Sequence, residues 1–202
     1  MSYDPETFAF YAQNAKTYAG RRQKPSDTLL VFLKTLPEGA SILELGCGAG
    51  LEASYMKAQG FNVTPTEGNP ALAAEAEQNF GAPVQIMRFD ELEAEESYNA
   101  VWANMCLLHA PWESLEDILQ RIHKALVPGG VLWASFKIGQ GEKRDELGRY
   151  YNLPTKSMLS DKFSTAADWA QIEQIDGIGG VGADNQPYQS IWCVAHKIGA
   201  AS

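Results

Sequence analysis

Ile42-Leu43-Glu44-Leu45-Gly46-Cys47-Gly48-Ala49-Gly50 runs from a short apolar stretch into three glycines within five positions. The apolar stretch, residues 41–45, reads as a buried strand. The glycines turn the chain sharply, and residues 51–59 read as a helix that closes on Gly60, a residue suited to the left-handed position after a helix end. Without Cβ atoms, Gly46 and Gly48 let a ligand approach the backbone closely. Amides at the start of the following helix are expected to face such a ligand.

The alternation continues outward from this turn. Residues 61–66 form a second strand, and Asn69-Pro70 caps an alanine- and glutamate-rich helix up to Asn79. Residues 84–88 and 100–103 read as further buried strands. Residues 114–127 carry Leu115, Ile118, Leu119, Ile122 and Leu126 on one helical face. Pro128-Gly129-Gly130 stops that helix, and residues 131–136 are the fifth strand. Before the glycine turn, Asp4-Pro5 starts a helix bearing Phe8, Tyr11, Ala15 and Tyr18, and a second helix begins near Ser26 or Asp27. After residue 136 the pattern changes. Residues 171–175 and 188–195 are two strands joined by a Gly/Asp/Asn-rich loop, which predicts a closing hairpin. Strands alternating with helices imply a mostly parallel sheet. The expected fold class is α/β, a Rossmann-like three-layer sandwich with a mostly parallel seven-stranded sheet and an antiparallel closing hairpin. The expected organisation is one domain over residues 1–202: a helical cap at 1–40, a core at 41–136, and an acceptor region with the hairpin at 137–202.

Glu67 lies 21 residues after Gly46, at the end of the second strand. A carboxylate there can accept hydrogen bonds from both ribose hydroxyls of an adenosine ligand. The combination also occurs in nicotinamide-binding enzymes, but their G-x-G-x-x-G fingerprint calls for glycine at position 51, where this chain has Leu51. Pro65 falls inside the second strand and predicts a bulge or an early strand end.

Bulk composition narrows the classes. The 202 residues are 45% hydrophobic with 16 basic and 25 acidic side chains, giving a net charge of −9. That balance argues against a nucleic-acid substrate. No apolar run approaches a membrane span, and no signal peptide is evident at the N-terminus. Cys47, Cys106 and Cys193 match neither a disulfide framework nor a metal site, so no metal and a reducing cytoplasm are expected.

Residues 42–136 resemble the core of the class I S-adenosylmethionine-dependent methyltransferases, in the small-molecule group. ELGCGAG matches the family's first motif, and Glu67-Gly68-Asn69-Pro70 its acidic turn. Phe89-Asp90 matches the acidic position near the adenine amine, YNAVWANMCLLHAP the fourth-strand motif, and ALVPGGVLWASF the fifth-strand entry. The resemblance implies S-adenosyl-L-methionine as cofactor and a small-molecule methyl acceptor as partner. It implies cofactor contacts at Tyr18, Arg21, Glu44, Gly46, Cys47, Gly48, Glu67, Gly68, Asn69, Asp90 and Asn104. Cys47 itself reads as a small residue in a crowded turn rather than a nucleophile.

Methyl transfer from a sulfonium is an in-line displacement that needs alignment and exclusion of water, and a base only for a protonated nucleophile. His109 follows the fourth strand, where it is either such a base or a packing residue; packing is the expectation. Residues 137–163 are too long for a connecting turn and are expected to form the acceptor region, with Arg149, Tyr150 and Tyr151 contacting the acceptor. A catalytically silent cofactor-binding module is the alternative from another class, and a nicotinamide oxidoreductase a third.

Overall fold

The computed structural model describes residues 3–20 and 24–200. In chain order its elements are α1 (Pro5–Ala19), α2 (Asp27–Lys34), β1 (Ser41–Glu44), α3 (Leu51–Ala58), β2 (Asn62–Glu67), α4 (Pro70–Phe80), β3 (Gln85–Ile86), β4 (Tyr98–Ala103), α5 (Leu115–Ala125), β5 (Leu126–Lys137), β6 (Gly141–Arg144), β7 (Tyr150–Leu153), α6 (Lys156–Ala166), β8 (Trp169–Val181) and β9 (Pro187–Lys197). Seven strands form one sheet in the order β3-β2-β1-β4-β5-β9-β8. β9 runs antiparallel to both of its neighbours, and the remaining pairings are parallel. This is the expected Rossmann-like sheet with its closing hairpin. Among the described residues no helix is long and apolar enough to cross a membrane.

Side chains alternate across the strands and build a core on each face. On one face Ile42, Trp102, Trp133 and Trp192 pack with Leu29 and Phe32 of α2 and Met56 of α3, and the rings of Trp102 and Trp192 stack 4.6 Å apart. On the other, Leu43, Val101, Leu132 and Ile191 meet the apolar stripe of α5 and Leu159 and Phe163 of α6. The helix starts follow the sequence. The Asp4 carboxylate accepts from the Thr7 amide, the Ser26 hydroxyl from the Leu29 amide, and the Asn69 side chain from the Ala71 and Leu72 amides.

Three expectations change. No bulge forms at Pro65, which pairs with Glu44 in an unbroken register. The Asn62 amide donates towards β1, so by alternation the Pro65 nitrogen faces the β3 side, and β3 begins to pair only at Thr66. No ladder bond is lost there. The buried strand expected over 84–88 contracts to the exposed two-residue edge strand β3. α5 ends at Ala125 rather than continuing to Val127, because Pro128 holds the preceding residue out of helical backbone. The Pro-Gly-Gly segment lies within β5, where the pairing with β4 jumps from Leu126 to Val131. Residues 137–163, the expected acceptor region, take the form of a β6–β7 hairpin followed by most of α6.

The strand order reverses between β1 and β4, so the turn after β1 and the turn after β4 flank one crevice at the carboxyl edge of the sheet. Open α/β sheets bind ligands at such a point.

Candidate functional site

A two-lobed cleft occupies that crevice. Its inner lobe, about 120 Å³, lies between α1 and the ends of β1, β2 and β4, with Phe8, Tyr11, Gly46, Glu67, Phe89 and Met105 in its wall. The outer lobe, about 600 Å³, opens past Tyr18, Asn104 and His109 towards Lys137, Tyr151 and Tyr188. The combined size is that of a small-molecule site.

The glycine turn is built for close approach. Gly46 and Gly48 sit at φ +59° and +58°, and a Cβ on Gly46 would fall 2.6 Å from the Cys106 Cβ. The loop amides do something other than face the cleft. Cys47 N donates to Thr66 O, Gly48 N to Glu67 Oε2 and Gly50 N to Cys47 O. Glu67 also accepts from Asn69 N through Oε1 at 2.9 Å. Gly48 of the turn and Asn69 after β2 thus fix a carboxylate at the cleft wall, with acceptor capacity left for a ligand. Burial pushes the Glu67 carboxyl up to about 7 against the amide bonds from Asn69, Gly48 and Gly68.

Most expected cofactor contacts gather here. Gly46, Gly48, Glu67, Gly68 and Asn69 line the inner lobe, Glu44, Cys47 and Asn104 the outer, and Tyr18 both. Asn69 donates to Phe8 O at 2.8 Å, which ties α1 across the site. Asn104 is held by Glu52 at 3.0 Å and by the Ser135 hydroxyl at 2.9 Å. Burial, then the charges of Glu44 and Glu67, push the Cys47 thiol far up, as a packing cysteine requires. Asp90 lies elsewhere: its carboxylate meets Arg88 Nε at 3.4 Å, and Arg88 and Phe89 line the lobe in its place. Arg21 lies outside the described residues.

His109 sits in the wall shared by both lobes. Nδ1 is 2.7 Å from the Tyr150 carbonyl, which can only accept, so this nitrogen carries the proton. Nε2 therefore accepts from the Tyr11 hydroxyl at 2.9 Å. Burial lowers the imidazole pKa to about 4 in spite of the Tyr150 bond. The geometry is that of a neutral ring fastened at both ends. An unfolded histidine would bind its proton near pH 6.5, so fold stability falls as pH drops from 6.5 towards 4, by roughly 2 kcal/mol at this cleft-lining position. His109→Gln should remove that part of the acid sensitivity, leave S-adenosylhomocysteine affinity unchanged and lower turnover only modestly. Denaturant melts at pH 5 and 7 with a rate assay read this out, and a loss of several hundred-fold with intact binding would make His109 a base.

Of the expected acceptor contacts, Arg149 and Tyr151 line the outer lobe. Tyr150 does not: its hydroxyl bonds the Glu142 carboxylate and accepts from Trp112 N at 3.2 Å, away from the cleft, while its amide donates to Thr7 Oγ1. Strand alternation in β7 puts neighbouring tyrosines on opposite faces. Sequence reading missed the buried Asp145–Arg149 pair, 2.6 Å apart, from which Arg149 reaches the Tyr11 hydroxyl at 3.3 Å. The spacing of four was visible, but the turn that makes the residues meet was not. Lys137, too, carried no signal beyond ending a strand.

Residues 18–150 match the model of the methyltransferase domain family. Carboxy-S-adenosyl-L-methionine synthase of Chromohalobacter salexigens is 26% identical over 145 residues, 65% of this chain and 54% of that protein. Malonyl-[acyl-carrier protein] O-methyltransferase of Enterobacter lignolyticus is 31% identical over 96 residues, 46% of this chain and 37% of its own. The chain thus spans about half or less of the length of these relatives. In structure it resembles the 1,6-didemethyltoxoflavin-N1-methyltransferase of Burkholderia thailandensis, solved with 1,6-didemethyltoxoflavin and S-adenosylhomocysteine, at TM-score 0.70 and 20% identity over 94% of this chain and 84% of that one. A family match over most of the chain, on a sheet whose switch point carries the glycine turn and its acid, makes the chain a member of the methyltransferase domain family.

Proposed function

We propose that this chain transfers a methyl group from S-adenosylmethionine to a small-molecule acceptor. The observation that carries the reading is Glu67, a carboxylate held by the Gly48 and Asn69 amides beside a turn with no room for a Cβ at Gly46. Residues and group fit: the acceptor capacity left on the Glu67 carboxylate suits ribose hydroxyls, and the apolar wall of Phe8, Leu72, Met87 and Phe89 suits a flat base. The Gly46–Gly48 backbone would lie against the ligand, with Tyr18 across from it. When bound, the cofactor supplies a methyl group activated on a sulfonium.

The protein's work is then placement. α1 roofs the inner lobe and excludes water, while the outer lobe orients the acceptor. His109 contributes packing, since its one basic nitrogen is engaged by Tyr11. We read residues 1–202 as one unit, acting in a reducing, cytoplasmic compartment that keeps three buried thiols free. Calorimetry tests the core of this: S-adenosylhomocysteine binds and NAD does not, whereas the reverse pattern overturns it. A turnover panel of oxygen, nitrogen and sulfur nucleophiles then separates an enzyme from a silent binding module.

A further inference from the structure

We propose that the methyl acceptor carries a carboxylate and that Lys137 anchors it; the inference deepens the reading above and rests on it. Lys137 ends β5, and its ammonium lies 4.2 Å from the Tyr151 ring centroid and 4.6 Å from that of Tyr188, in the wall of the outer lobe. Two aromatic faces stabilise a cation there. Among the described residues no carboxylate forms an ion pair with it. The acid whose charge it feels most, Asp184, lies in the β8–β9 turn, and burial holds the amine below the ordinary lysine range. The other cation among the described residues of the lobe, Arg149, is already neutralised by Asp145 at 2.6 Å. Among the described residues this ammonium faces the outer lobe half-buried, with Asp184 near it but no ion pair closed, and a matching anion there offsets the rest of its desolvation. Among the described residues this is the one cation left for an acceptor, which matches a monoanionic carboxylate, whereas a phosphate dianion would call for a second. Tyr151, Tyr188, Ile178 and Val181 form a wall that suits an aromatic or aliphatic body behind the carboxylate.

The test uses the full chain saturated with S-adenosylhomocysteine and three probes of one shape: benzoate, benzamide and phenyl phosphate. Ligand-observed NMR should show benzoate binding at least tenfold tighter than benzamide and no weaker than phenyl phosphate. Lys137→Met should erase the preference of benzoate over benzamide, and Lys137→Arg should keep most of it. Binding of S-adenosylhomocysteine by both variants checks that they fold. The proposal is overturned if neither benzoate nor benzamide binds at low-millimolar concentration, if the two bind alike, if phenyl phosphate wins by tenfold, or if the preference survives in Lys137→Met. Should wild-type protein fail to bind S-adenosylhomocysteine, the cofactor reading has failed by itself, and the same probes on the free protein still judge Lys137.

Discussion

Arg149→Met should destabilise the fold by about 3–5 kcal/mol, the range for removing one partner of a buried ion pair. Arg149 and Asp145 side chains are each only 3% exposed. Asp145 accepts from the Arg149 backbone amide and, through Oδ2, from Nε and Nη2 of the guanidinium. Burial would raise its carboxyl, but these bonds hold it below the ordinary aspartate range. Methionine retains much of the stem packing against Phe10 and Tyr151 yet strands the carboxylate. Asp145→Asn in the same chain removes the stranded charge and should recover more than half of the loss, because a buried pair replaced as a whole often costs little. Denaturant melts of wild type, single and double variants at pH 7 measure both numbers. A single variant within 1 kcal/mol of wild type, taking ~1 kcal/mol as an ordinary substitution effect, would show that the pair does not hold the hairpin to α1.

The contrast between this pair and the glycine turn explains what the sequence made legible. Local grammar was readable wherever it was chemically forced: Asp4, Ser26 and Asn69 cap the helices they were assigned, and Gly46 and Gly48 make the sharp turn expected of them, in left-handed backbone. Alternation of strands and helices pointed to the mostly parallel sheet. What stayed hidden joins residues far apart in the chain. Arg144 meets Asp4 at 2.7 Å where the β6–β7 hairpin folds onto α1, and Tyr11 meets His109 at 2.9 Å where α1 packs on the turn after β4. No periodicity encodes a register between two layers. The hairpin inside residues 137–163, the expected acceptor region, stayed hidden because Gly141–Arg144 and Tyr150–Leu153 are four-residue strands, too short to show alternation against their polar background. Pro65 failed in the opposite direction, since a rule about central strands was applied where the neighbouring strand had not yet begun.

Glu67→Ala should weaken S-adenosylhomocysteine binding by 1.5–3 kcal/mol, roughly 10- to 150-fold, through loss of charge-assisted bonds to two hydroxyls. The variant also releases the Gly48 and Asn69 amides, so part of that loss reflects a looser turn. A pH series separates the two contributions. The Glu67 carboxyl is raised to about 7 in the fold by burial, against about 4.5 for an ordinary glutamate. Between those values the folded chain holds a proton that the unfolded chain has released. Stability of the free protein therefore falls as pH rises from 4.5 through 7, and the cost, up to about 3 kcal/mol, is fully present above 7. Ligand binding moves the other way. Ribose hydroxyls donate best to the ionised carboxylate, so the dissociation constant of wild type should tighten several-fold between pH 6 and pH 8. Glu67→Gln keeps an acceptor oxygen without the charge and should abolish both trends. Calorimetry at pH 6, 7 and 8 with denaturant melts at the same values supplies the data. Affinity unchanged on Glu67→Ala, or a Glu67→Gln variant that follows the wild-type pH curve, would remove this carboxylate from the ribose site and leave the glycine turn without its partner.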